Sequence, residues 1–119
     1  MMLEIHGNIK DRHLVEEYAV NIIKKFRLDR RKNGTIIIRF RKRMPNGYGD
    51  SLGSCEGDRI DAEIDIAQKQ TFYEQMLTLA HEMVHAKQFM RGEYPSEMEA
   101  KTAEYDLFGR GYPWKKVRY

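Results

Sequence analysis

Thiols are nearly missing from this sequence: Cys55 is the one cysteine in 119 residues. No internal disulfide can form, which suits a reducing compartment, and a structural zinc site closed by several thiolates is excluded. Long apolar runs are missing too. Stretches such as TIIIRF fall far short of the ~20 residues that cross a bilayer. The opening MMLEIHGNIKDRH carries an acid at its fourth position and no long apolar stretch after a basic one, unlike a targeting segment. The expectation is a cytoplasmic protein with no membrane partner. Acids are scarce between Lys24 and Arg43, where ten Lys or Arg residues meet only Asp29. No histidine follows His85.

What remains is a globular balance of 41% apolar and 33% charged residues, in a length that suits one compact domain and not two. The organisation expected is a single domain over residues 1–119 with a basic, aromatic tail, RGYPWKKVRY, at 110–119. The net charge of +3 is unevenly spread, because residues 44–109 hold thirteen acids against five bases. Segment 24–43 and the tail suit nucleic acid or an acidic partner, although charge runs also serve simply as solvated surface.

Periodicity divides the chain. Leu14, Tyr18, Ile22 and Phe26 recur every four positions and predict an amphipathic helix from about Asn8 to Leu28. After Lys32-Asn33-Gly34, TIIIRFR reads as a strand with Ile36, Ile38 and Phe40 on one face and Arg39 and Arg41 on the other. Turn residues dominate MPNGYGDSLGSCEGD, leaving one short strand near Tyr48 to Cys55. RIDAEIDIA alternates strictly, with Ile60, Ala62, Ile64 and Ile66 opposite Asp61, Glu63 and Asp65. Thr71 and Glu74 form a reciprocal cap for a helix running to about Arg91, where Gly92 stops it. Ser96 and Glu99 offer a second such cap, opening a helix through Glu104 and Phe108 that Gly109 and Gly111 end, and the two helices make an αα-hairpin.

The first helix of that hairpin carries LAHEMVHAKQ. His81 and His85 lie one turn apart on one face, so their imidazoles can converge on one ion. Glu82 sits one position round, where a carboxylate can act as general base toward water at the metal without binding the metal itself. Leu77, Leu79, Ala80, Met83, Val84, Phe89 and Met90 cover most of the helix, so the histidine face belongs to a cleft or the core. A metal with water would satisfy three polar groups that are otherwise costly there.

Two histidines leave a catalytic zinc one protein ligand short. Glu97, Glu99 and Glu104 on the second helix are the candidates. Glu99 is expected to reach back to Ser96, while Glu97 and Glu104 share a face with small Ala100, which permits close helix approach. Glu97 is the preferred ligand and Glu104 a partner that steadies an imidazole.

LAHEMVHAKQ followed by PSEMEAKTAEYDLF resembles the active-site pair of gluzincin metallopeptidases. In these, H-E-x-x-H is completed by a glutamate from the next helix, often within E-x-x-A; here that segment reads Glu97-Met98-Glu99-Ala100. In size and element order the chain is similar to minigluzincins and SprT-like proteins, including short bacterial and phage proteins. The resemblance spans about residues 58–108. It implies a zincin-like α+β fold with an N-terminal helix, a small mixed sheet of about three strands, an active-site helix and a glutamate helix. It also implies that RIDAEIDIA borders the cleft as an edge strand and pairs with extended substrate. Lys101 stands where many gluzincins have Asp or Asn, which leaves that place to Glu104. The third histidine common in SprT-like DNA-repair proteases has no counterpart.

The function expected is a zinc-dependent metallopeptidase acting on proteins or peptides: Zn2+ on His81, His85 and Glu97, with Glu82 moving the proton. Tyr94, Tyr105 and Tyr112 are candidate donors to the oxyanion. Cys55 reads as a packing residue, because no basic neighbour activates it. Asp61, Glu63 and Asp65 would favour Lys or Arg in a substrate. Two rival readings stand beside this one: a nucleic-acid-associated protein with a structural zinc, using segment 24–43, and a latent zincin whose cleft is covered by its own tail.

Overall fold

The computed structural model describes residues 1–45 and 51–109. The first residues of the strand expected near Tyr48–Cys55, the tail at 110–119 and Tyr112 within it lie outside the described residues. The chain runs β1 (Met2–Gly7), α1 (Arg12–Lys25), β2 (Thr35–Arg41), β3 (Gly53–Gly57), β4 (Asp61–Ala67), α2 (Phe72–Arg91) and α3 (Glu97–Gly109), with a 3-10 turn at Leu28–Arg30. This is the expected α+β class, but with four strands rather than three.

The additional strand is β1. Helical spacing reads back to Asn8, yet α1 starts only at Arg12, because the Asp11 side chain accepts the Leu14 N–H at 3.1 Å and caps the helix there. The residues before it are free to extend. Leu3 and Ile5 pack against the core, with Glu4 and His6 alternating between and after them, so MLEIHG pairs in parallel with β2.

The sheet order is β1-β2-β4-β3, with β1, β2 and β4 parallel and β3 antiparallel to β4. Ile36, Ile38 and Phe40 of β2 join Ala62, Ile64 and Ile66 of β4 on one buried face, which the helices cover. Full burial of each such isoleucine is worth roughly 1.5–3 kcal/mol. Ile60, expected on that face, is exposed because it lies in the β3–β4 turn. There Asp58 accepts the N–H groups of Ile60 and Asp61, both at 2.8 Å. Those hydrogen bonds also hold the Asp58 carboxyl below its ordinary range.

RIDAEIDIA is not the edge strand. β4 is paired on both sides, by β2 and by β3, and the edge next to it is β3. The physical reason is the hairpin: a tight turn at Asp58 lays GSCEG along the side of β4 that would otherwise be open. The acidic face of β4 is also largely spent within the sheet. Arg39 pairs with Glu63 at 3.0 Å, Arg41 pairs with Asp65, and Asp61 accepts the Thr35 N–H at 3.0 Å. Two of the three acids are thus matched by arginines, while Asp61 and Glu63 still line one pocket together with Glu4, Glu56 and Asp58.

α2 packs on β3 and β4. Its start is the reciprocal Thr71–Glu74 cap, at 3.2 and 2.9 Å, and its end is Gly92 in the left-handed region at φ 66°. Gly53 sets how closely the edge strand approaches. A Cβ there would stand 2.4 Å from Thr78 Cγ2 and 3.2 Å from Glu82 Cγ and Oε2. Only a glycine lets β3 lie this near the motif.

Gly53→Ala should therefore lower stability by about 1–3 kcal/mol through overpacking. Thr78→Ser removes the struck methyl and keeps the hydroxyl that donates to Gln70 Oε1 at 2.8 Å, so the double variant should recover part of the loss. Urea unfolding of both single variants and the double one checks this; strictly additive losses would overturn the contact as the cause.

Candidate metal centre

Residues 81, 85 and 88 form a polar stripe along one side of α2, spaced by four and three. The rest of the helix turns Met76, Leu79, Ala80, Met83 and Val84 into the core. α3 lies across that stripe, brought close by Ala100, which is fully buried.

His81 Nε2 lies 2.6 Å from Glu97 Oε1, and His85 Nε2 lies 2.9 Å from Glu97 Oε2. The other ring nitrogens face away from that point. His81 Nδ1 meets Glu104 Oε2 at 2.6 Å, and His85 Nδ1 meets Gln88 Oε1 at 2.8 Å. One donor atom each from His81, His85 and Glu97 lies within 4.8 Å of the others, a group that can hold a metal ion.

The proton count sharpens this. Four imidazole nitrogens face four oxygens, yet two neutral imidazoles bring only two N–H groups. Two nitrogens are then left with lone pairs against oxygen lone pairs. Either two additional protons or one metal dication relieves that repulsion. The two Nε2 atoms share a single carboxylate, so one cation held by all three groups would take the place of both protons. Desolvation would raise the Glu97 carboxyl, but the charge and hydrogen bonds that His81 and His85 offer when protonated together hold it below its ordinary range.

Glu82 lies beside this group, 7% exposed, and among the described residues nothing hydrogen-bonds or ion-pairs with its carboxylate. Burial pushes its carboxyl up, His81 and His85 pull it partly back, and Glu97 and Glu104 push it further up. Its oxygens are not sealed from solvent, since no fully buried side-chain oxygen among the described residues lacks a partner, but desolvating a carboxylate costs stability and such perturbed groups concentrate at functional sites.

Glu99 departs from expectation. The Glu99 N–H does donate to Ser96 Oγ at 3.1 Å, but the Glu99 side chain does not return to the Ser96 N–H. It accepts instead from Gln88 Nε2 at 2.6 Å and Lys87 Nζ at 2.9 Å, and the Ser96 N–H donates to Gln88 Oε1 at 3.2 Å. The buried Gln88 amide displaces the Glu99 carboxylate from the cap. Gln88 is the site residue that sequence reading passed over. Its signal was available: it stands seven residues after His81 and three after His85, on the same face.

Of the remaining candidates, Tyr94 and Tyr105 are strongly exposed, at 93% and 67%. Cys55 is half-buried on β3, and burial, followed by Glu82, Glu56 and Asp65, pushes its thiol far above the ordinary range, which leaves it a poor nucleophile. Four of the ten bases in segment 24–43 are engaged: Lys25 with Asp106, Arg39 and Arg41 with β4 acids, and Arg31 with the carbonyls of Arg59 and Met90. Among the described residues no helix is long and apolar enough to cross a membrane. No protein-family model and no curated protein matches the chain.

His81→Ala and His85→Ala should each abolish binding of a divalent ion, read as metal content after dialysis, because one ligand of three is lost. Full occupancy in either variant would sink the assignment. In the wild type, affinity should fall as pH falls and protons compete for both Nε2 atoms. Calorimetry in buffers of different ionisation enthalpy should show proton release on binding that grows toward acid.

Proposed function

We propose that the chain is a zincin-like zinc metallopeptidase, with zinc on His81 Nε2, His85 Nε2 and Glu97, and Glu82 as general base. The observation that carries this reading is the juxtaposition of two imidazoles and a carboxylate aimed at one point with a largely buried Glu82 beside them, its carboxyl raised by burial. Two nitrogens and one oxygen suit zinc among the available ions, and three protein ligands are the number found in catalytic rather than structural sites.

Zinc bound there supplies Lewis acidity, which polarises a carbonyl and brings the pKa of water toward ~7. The chain's own residues do the rest. Glu104 and Gln88 orient the two rings through Nδ1. The Glu82 carboxylate, made more basic by burial, takes a proton from water and returns it to the departing amine nitrogen. β3 supports a peptide substrate better than β4 does, since it is the strand at the edge and Gly53 brings its backbone against α2 near Glu82. An extended peptide can add to such an edge through main-chain hydrogen bonds.

Glu82→Gln should keep metal and fold while turnover of a peptide library falls by about 10²–10⁴-fold. Wild-type turnover in this variant would remove Glu82 from the mechanism. The same variant should melt higher than the wild type when both are metal-free at neutral pH. An acid held above its unfolded value subtracts stability once pH exceeds that unfolded value, ~4.3 for Glu. In acid, below that value, the difference should vanish.

A further inference from the structure

The C-terminal end of α2 gathers cations from three separate parts of the chain. Arg91 donates from that end to the Phe26 carbonyl, beside Arg27. Arg31 reaches both the Met90 carbonyl at 2.5 Å and the Arg59 carbonyl at 2.7 Å. The Arg59 guanidinium lies against Gly92, where a Cβ would stand 2.6–2.8 Å from its atoms. Arg30 and Lys32 flank Arg31 in sequence, in a turn that buried Leu28 pins to the core. Five arginines and a lysine therefore lie together, and all but Arg31 are exposed. Arg31 and Arg91 donate to main-chain carbonyls, which leaves their charge in place, and among the described residues none of the six pairs with a carboxylate. Of the acids in these same turns, Glu93 is held by Lys87 at 3.1 Å, and Asp29 and Asp58 are too few to cancel six cations.

Two further observations narrow the partner. Arg27, just past the end of α1, holds φ 59° and ψ 28° and is the one left-handed non-glycine among the described residues, at a position that favours glycine or asparagine. An exposed arginine is thus kept in a strained conformation, and no side-chain hydrogen bond among the described residues offsets the strain. Tyr94, two residues after Gly92 and so within about 7 Å of it along the chain, is 93% exposed. A bare aromatic face stands at the border of the arginines. Arginine forks grip phosphate oxygens in pairs, and an exposed ring stacks on a base whose faces are open. A duplex keeps its base faces covered, and a lipid headgroup has none. We propose that the five arginines and Lys32, with Tyr94 at their edge, form a surface that binds single-stranded nucleic acid: the phosphodiester chain follows the guanidinium groups and a base stacks on Tyr94. This surface is separate from the metal centre, because Gly92 stands seven residues beyond His85, about 10 Å along the helix axis, and binding there requires no metal.

Fluorescence anisotropy of a short labelled oligothymidylate, titrated with the full-length protein over a range of salt concentrations, tests this. The logarithm of the binding constant should fall linearly with the logarithm of salt, with a slope of about −0.7 per phosphate contacted. Arg30→Gln and Arg59→Gln should each weaken binding and flatten that slope by about one contact. Tyr94→Ala should weaken binding by about 5- to 100-fold and leave the slope unchanged, since it removes stacking and no charge. Arg27→Gly should bind less tightly without melting lower, because glycine adopts the left-handed conformation freely, so its loss of binding does not come from unfolding. Absence of binding at low salt overturns the proposal. Equal affinity for the corresponding duplex or for phosphatidylserine vesicles overturns the choice of partner, and wild-type affinity in Arg27→Gly and in a folded Arg30→Gln/Arg59→Gln double variant overturns the assignment to these residues.

Discussion

Everything at the site depends on one narrow polar stripe along an otherwise apolar helix. α2 has to bury Met76, Leu79, Ala80, Met83 and Val84 against the sheet and its neighbours. That requirement fixes its rotation about its own axis, and with it the direction in which residues 81, 85 and 88 point. The ring nitrogens are therefore aimed by the hydrophobic core before any hydrogen bond forms. α3 then has one way to lie, with Ala100 in close contact and Glu97 and Glu104 on the two sides of His81. Helix packing supplies the coarse geometry and the polar contacts refine it to hydrogen-bond distances.

Charge is organised by the same economy. Two of the three acids that alternate along β4 are matched by arginines of β2, and Asp61 accepts a main-chain N–H of the same strand, so cross-strand contacts hold part of the outer sheet face. Near α2 the balance reverses. Three carboxylates, Glu82, Glu97 and Glu104, lie around two imidazoles, and Lys87 is occupied by Glu93 and Glu99. Among the described residues no Lys or Arg pairs with these three carboxylates, and such an excess of negative groups attracts cations.

Local signals read from sequence were reliable where one element decides the outcome. The Thr71 cap, the Gly92 stop, the inward faces of TIIIRFR and of residues 62–66, and the shared face of His81 and His85 all follow from spacing within a helix or strand, whereas Glu97 joins the histidines from a second helix. What escaped was tertiary. β1 is short and half-exposed, and its strand character comes from pairing with β2 across the whole of α1. Which strand forms the edge depends on the fold-back of β3, which no alternation within RIDAEIDIA can announce. Gln88 outcompeted Glu99 for the Ser96 N–H because it approaches from another helix, and a capping rule written for one helix does not include that competitor.

The groups that face one another at the site, from His81 to Glu104, come from one contiguous stretch of chain. The parallel part of the sheet, by contrast, pairs strands separated by a helix or by an intervening strand and its connections. Contacts close in sequence cost little loop entropy, whereas parallel pairing closes large loops. The helix hairpin and the sheet are not independent, however: β3 lies against Thr78 and Glu82 through Gly53, so whatever alters the course of the edge strand also reaches the carboxylate beside the two imidazoles.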